Sequence, residues 1–147
     1  MRVLGLDTCR KGEVFGAVIR GGWFLDGVVR FGLGRPAEQQ VAENVRATKY
    51  YPELRAIMLH DPGNHLAHGL LETVVRLPVI AVSNAREVPK GYSFFRSEHG
   101  TLLHRSRLSR STADQVLSLT WTCGRLPEPA RIAHVLAKGA LERELGR

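Results

Sequence analysis

Cysteine is scarce in this chain: Cys9 and Cys123 are the only two in 147 residues, and they lie far apart in no zinc or redox spacing. That excludes a disulfide-stapled scaffold and leaves two free thiols. No apolar run is long enough to span a bilayer, and no signal peptide opens the chain, so a cytoplasmic protein with no membrane association is expected. Acidic residues are in the minority, 14 against 21 basic ones, and the net charge of +7 points to a polyanionic partner, nucleic acid first. Lysine is scarcer still. Of the basic residues 17 are Arg and 4 are Lys, a bias that suits the planar, forked recognition of phosphate. There is no G-x-S-x-G elbow to present a nucleophilic serine and no H-E-x-x-H pair for a zinc protease.

What is present is enough apolar sequence for a core. At 44% hydrophobic content, residues 1–147 are expected to form one domain without staples. Residues 2–7 (Arg2-Val3-Leu4-Gly5-Leu6-Asp7) read as a buried strand that ends on an acid. Residues 13–20 and 23–31 read as two more, joined by Gly21-Gly22, a dipeptide that accepts the positive φ of a tight hairpin. Arg35-Pro36 opens a helix whose apolar face is Ala37, Val41, Val45 and Thr48, and which ends before Tyr50-Tyr51-Pro52. Residues 54–59 make a fourth strand. Asn64 is placed to cap a second helix with Leu66, Leu70, Val74 and Val75 on its apolar face, and residues 77–82 are a fifth strand too apolar to be exposed on either side. Residues 84–100 read as irregular. Ser111, with Asp114 in the third position, resembles a capping box that opens a helix toward Trp121, and a last helix follows Pro127-Glu128-Pro129. This order fits an α/β fold in which a mixed five-stranded sheet, an antiparallel three-strand meander plus parallel strands, is flanked by helices.

Function hangs on what gathers around Asp7. If the first and fourth strands are parallel neighbours, Asp7 and His60-Asp61 lie at carboxyl ends, where open α/β sheets bind ligands. Carboxylates there suit Mg2+ (or Mn2+) ions that clamp the attacking and leaving oxygens of a phosphodiester. His65 and His68, one helical turn apart, make zinc a rival. Arg105, Arg107 and Arg110, before a helix start, suit phosphates, and Arg131 on the last helix joins them as a nucleic-acid contact. Tyr50, Tyr51, Tyr92, Phe94 and Phe95 can stack on bases or anchor the core.

Several blocks are shared with a known family. Val3-Leu4-Gly5-Leu6-Asp7, Gly16-Ala17-Val18-Ile19-Arg20 with Leu25-Asp26-Gly27-Val28, residues 54–59, residues 77–82 and Leu126-Pro127-Glu128-Pro129-Ala130-Arg131-Ile132-Ala133-His134 resemble, in order, an archaeal domain-of-unknown-function family. It is the ninety-ninth of that numbered series, is related to endonuclease V, and has members described as endonuclease dU, acting on deoxyuridine in DNA. The resemblance implies a ribonuclease H-like fold, magnesium and cleavage near a modified base. Asp7 matches the family's first-strand acid, while Thr8 stands where the family repeats an aspartate. Gly32-Leu33-Gly34-Arg35-Pro36 replaces an acidic stretch and leaves Glu38 as a substitute. His60-Asp61 stands where the family has Asp-Gly, Ser83 stands where endonuclease V has a lysine, and His134 matches a last-helix ligand.

Two main expectations follow. In one, a magnesium-dependent endonuclease uses Asp7 and Asp61 with Glu38 or His134; in the other, a non-catalytic relative keeps the sheet and the basic surface to bind nucleic acid. Asp61 beside Asp7 favours the first, and Asp61 engaged with the start of the second helix favours the second. A third expectation, a structural subunit that meets partners through the Trp23 hairpin, requires an exposed apolar edge there.

Overall fold

A computed structural model of the chain describes residues 1–21, 23–82, 93–97, 100–104, 108–120 and 126–144. Strands β1 (Arg2–Asp7), β2 (Glu13–Arg20) and β3 (Phe24–Gly32) form the expected meander. After helix α1 (Ala37–Ala47) and a 3-10 turn at Tyr51–Glu53 come β4 (Leu54–His60), α2 (His68–Val75) and β5 (Val79–Ala81). The five strands lie in the order β3-β2-β1-β4-β5, with β1, β4 and β5 parallel and β2 antiparallel to both its neighbours. The apolar strands β1 and β4 are central and covered on both faces, as their near-continuous hydrophobic sequence requires.

Alternation along each strand divides the core. Leu4, Leu6, Val18, Ile57 and Leu59 point to α1 and α2, where Val41, Val45, Leu71 and Val75 cover them. Val3, Ala56 and Met58 point the other way, to Ala113 and Leu117 of α3 (Arg110–Thr120) and Ala130 of α4 (Glu128–Glu144), and Ala17 and Ile19 meet Ala133 farther along α4. The result is a sheet between two helical layers.

Several local expectations are corrected. Asn64 does not cap a helix: it has a left-handed φ of 53°, and α2 begins only at His68. That delay shifts the helix's inward face to Leu71 and Val75, while Leu70 is exposed and Leu66 is buried ahead of the helix. The capping serine of α3 is Ser109, not Ser111: the Thr112 N–H donates to Ser109 Oγ at 3.2 Å, and α3 starts at Arg110. The stretch read as irregular, 84–100, holds strand β6 (Ser93–Ser97), which pairs with β7 (Gly100–His104) in a hairpin separate from the main sheet. Gly21 takes the positive φ expected of the β2–β3 turn, 64°, while Gly22 lies outside the described residues. Around that turn Trp23 is 70% exposed, and Phe24, Leu25 and Val28 on edge strand β3 are exposed as well, so an apolar edge does exist there.

Gly5 sets the height of α4 above the sheet. A Cβ at this position would stand 1.9 Å from the Pro129 carbonyl oxygen and 2.7 Å from the Ala130 nitrogen, so backbone meets backbone. Neither side can yield by a rotamer change. Gly5→Ala is expected to lift or tilt α4 and to cost about 3 kcal/mol or more of stability, at or above the usual overpacking range, measurable by urea denaturation.

Candidate metal centre

Asp7 and His60 end the two central strands and face each other as register partners in the parallel β1–β4 ladder. Alternation sends both side chains to the α4 face, because Val3 and Met58, in phase with them, already point there. The third residue comes from α4. From Gly5 to Asp7 the strand advances roughly 6.6 Å, and from Pro129 to His134 the helix advances roughly 7.5 Å, so the contact at Gly5 carries His134 to the level of Asp7.

The three groups converge on one oxygen. Asp7 is fully buried, and its Oδ1 lies 2.6 Å from His60 Nδ1 and 3.1 Å from His134 Nδ1. The two imidazoles meet edge to face with centroids 5.1 Å apart, and the three ligand atoms all lie within 4.8 Å of one another. The other oxygen of Asp7, Oδ2, accepts the Cys9 N–H at 3.1 Å. Burial raises the Asp7 pKa, but hydrogen bonds from His60 and from Cys9, and the attraction of His60, outweigh it and hold the carboxyl below its ordinary value. Asp7 is therefore an anion at neutral pH. The Cys9 thiol is pushed up to about 12 by burial and by its hydrogen bond to Asp7 and the field of that carboxylate, which leaves it a poor nucleophile.

The other acids picked from the sequence face backbone donors. Asp61 accepts the Thr8 hydroxyl at 2.5 Å and the N–H groups of His65 at 3.0 Å and Leu66 at 2.8 Å. Glu38, in the first turn of α1, accepts the Ala67 N–H at 2.9 Å, just before α2. Thr8, where an aspartate was the family expectation, is buried and ties the end of β1 to the loop after β4, its N–H donating to the His60 carbonyl at 3.2 Å. Asp61 thus braces the strand ends from outside the group around Asp7. Arg131 is held by Glu128 in a two-pronged pair at 2.7 and 2.6 Å. Tyr51 anchors the core, its hydroxyl donating to the Val75 carbonyl at 2.8 Å, and Tyr50 packs on the same cluster. His65 and His68 belong to no group of three facing ligands among the described residues. Arg105, Arg107, Ser83, Tyr92 and Cys123 lie outside the described residues, as do the side chains of Arg110, Phe94 and Phe95.

His60 entered the sequence reading only as a pair with Asp61, and the ligand role was given to Asp61. Its signal was phase: it is two residues beyond Met58 and four beyond Ala56, both on the inner face, whereas Asp61 follows the strand's last residue.

No protein-family model matches the chain. Among curated proteins, a UPF0215 protein from Methanopyrus kandleri is 30% identical over 183 residues, covering 98% of this chain and 93% of the relative. The aligned stretch is longer than the 147 residues here, so the relative carries insertions that this chain lacks. Among solved structures, a protein of unknown function from Archaeoglobus fulgidus matches with a TM-score of 0.76 at 22% identity, covering 95% of this chain and 97% of that one. Endonuclease V from Bacillus subtilis matches with a TM-score of 0.66 at 14% identity, covering 99% and 82%. Argonaute from Marinitoga piezophila, in complex with guide RNA and target DNA, matches with a TM-score of 0.60 at 12% identity over 92% of this chain and 29% of its own. The mixed five-stranded sheet and these likenesses define a ribonuclease H-like, nuclease-like fold. Within it, the chain belongs to the UPF0215 family of archaeal proteins.

Two outcomes test this geometry. With its folded pKa depressed, Asp7 contributes stability that is present above the ordinary carboxyl value of 3.8 and is lost as pH falls through the depressed one. The stability gap between wild type and Asp7→Asn, measured by denaturation in chelator, should therefore be positive at pH 7 and shrink below about pH 4. Asp61→Ala strands two N–H groups and the Thr8 hydroxyl, and is expected to cost about 1–3 kcal/mol by the same assay.

Proposed function

We propose that this chain is a metal-dependent endonuclease that cleaves nucleic acid near a modified base such as deoxyuridine, with Asp7, His60 and His134 holding the ion. The observation that carries the reading is the convergence of these three side chains on one point at the carboxyl ends of the central parallel strands. Ligands are bound at that end in open α/β sheets. The donor set fits a cation: one anionic oxygen and two imidazole nitrogens, each from a separately anchored element. What a divalent ion supplies at such a site is polarisation of a phosphoryl oxygen and acidification of a water. The chain's own contribution is to fix Asp7 through the Cys9 N–H and to aim both rings at it.

Nucleic acid as the partner is supported by the net charge of +7 and by likeness to an endonuclease V and to an Argonaute that holds guide RNA and target DNA. Among the described residues no helix is long and apolar enough to cross a membrane.

A second reading, a non-catalytic nucleic-acid-binding relative, is favoured by one observation. Asp61 and Glu38, the carboxylates that would have completed a multi-acid centre, both face backbone N–H groups instead. Cleavage of oligonucleotides carrying uracil or inosine, with magnesium, manganese, cobalt or zinc supplied in turn, separates the two readings. Wild type is expected to cut, with Asp7→Ala slower by about a hundredfold or more. Salt-sensitive binding with equally absent cleavage by both proteins would support the binding role.

A further inference from the structure

We infer that the Asp7–His60–His134 group takes a single zinc-class ion per chain and discriminates against magnesium. This rests on the metal-site reading of the proposed function. It deepens that reading by naming the class of ion.

The argument starts from a count of oxygen donors. Magnesium demands near-ideal octahedral coordination by oxygen, usually carboxylates, phosphates and water. Asp7 turns one oxygen, Oδ1, toward both imidazoles, while its Oδ2 accepts the Cys9 N–H. The other acids named from the sequence, Asp61 and Glu38, stand outside the group of three facing ligands. Asp61 holds the Thr8 hydroxyl and two N–H groups, and Glu38 holds the Ala67 N–H. A paired-magnesium centre bridged by several carboxylates therefore lacks its ligands among the described residues.

The nitrogen donors point the other way. Imidazole suits zinc, copper, iron and nickel, whereas magnesium and manganese prefer oxygen ligands, and in the affinity order of divalent ions zinc and cobalt bind more tightly than manganese does. Three protein donors, two histidines and one carboxylate, form the ligand set of catalytic zinc sites, which keep a further position for water or substrate. The site also has the right exposure. Asp7 is sealed from solvent while the side chain of His134 is 32% exposed, so the group opens on the His134 side. Without an ion, the same atoms satisfy one another, both Nδ1 atoms sharing the proton-accepting Oδ1. Binding exchanges those hydrogen bonds for three metal bonds, the proton on each Nδ1 giving way to the ion.

The test uses the full chain. After incubation with excess zinc and extensive dialysis, elemental analysis is expected to find about one zinc per chain, and cobalt(II) should give visible absorption that zinc abolishes. Both signals should fall in His60→Asn and in His134→Ala, with zinc affinity weaker by about a hundredfold or more, since loss of a mere outer partner already costs about 10–100-fold. The second variant alters a partly exposed helix position, so a folding failure of the first leaves the test intact. Magnesium at the same concentration should leave the melting temperature unchanged where zinc raises it. The inference is overturned if wild type retains no zinc, or if both variants retain it as wild type does, because the metal is then held by other groups such as free thiols. It is equally overturned if magnesium displaces cobalt at comparable concentration. The metal measurements need no substrate: zinc held without cleavage of any oligonucleotide defeats the proposed function alone, and magnesium-driven cleavage without zinc binding defeats this inference alone.

Discussion

The backbone contact between Gly5 and the first turn of α4 is the constraint from which the site follows. A helix laid on a sheet is usually held off by the side chains between them, and here that layer is thin at the site. Ala130, Ala133 and Ala137 are buried on α4, with Ile132 and Leu136 packing beside Ala133, and the strand offers no Cβ beneath Pro129. The helix therefore lies close to the sheet, and a short imidazole is enough to reach the end of β1. Had the same helix packed through leucines, His134 would stand a side chain's length too high to share an oxygen with His60.

That low approach also explains how a charge is kept in the interior. A carboxylate removed from water must be given donors, and Asp7 receives three from three directions: the end of β4, the turn after β1, and α4. None comes from a lysine or arginine among its hydrogen-bonded partners, so the charge is neutralised only by what the imidazoles bring. A buried anion ringed by weakly basic nitrogens responds to cations, where one locked to a guanidinium would not. The acids left over went to a structural task. Asp61 and Glu38 satisfy N–H groups in the approach to α2, which begins late and without a capping side chain of its own.

Much of this was legible in the sequence, and the parts that were not share a cause. The order of elements followed from apolar runs, and the end of β1 at Asp7 from the run that closes on it. The parallel pairing of β1 with β4 followed from the crossover through a helix. Local rules failed where a neighbouring residue offered the same hydrogen bond first. Asn64 has a good capping side chain, yet Asp61 captures the following N–H groups first and the chain turns through a left-handed residue instead. Ser109 caps α3 in preference to Ser111 because the helix starts two residues earlier than the capping-box spacing suggested. His60 was hidden by a charge argument: between an imidazole and a neighbouring carboxylate, the carboxylate looked like the metal ligand. The period of two along the strand, with Met58 already inward, was the better guide. Gly5 carried a signal of the same kind, since a glycine inside an otherwise branched and bulky strand marks a close neighbour.

The register of Asp7 opposite His60 also bears on how related sequences should be compared. Neighbouring residues at a strand end project to opposite sides, so a one-residue deletion in β4 would bring Asp61 into the inward position of His60 in a single evolutionary step. An alignment that matches acid to acid at this point would pair side chains lying on different faces of the sheet. Counting inward from Met58 instead keeps equivalent positions together, and would sort family members by the ion their own strand end is built to hold.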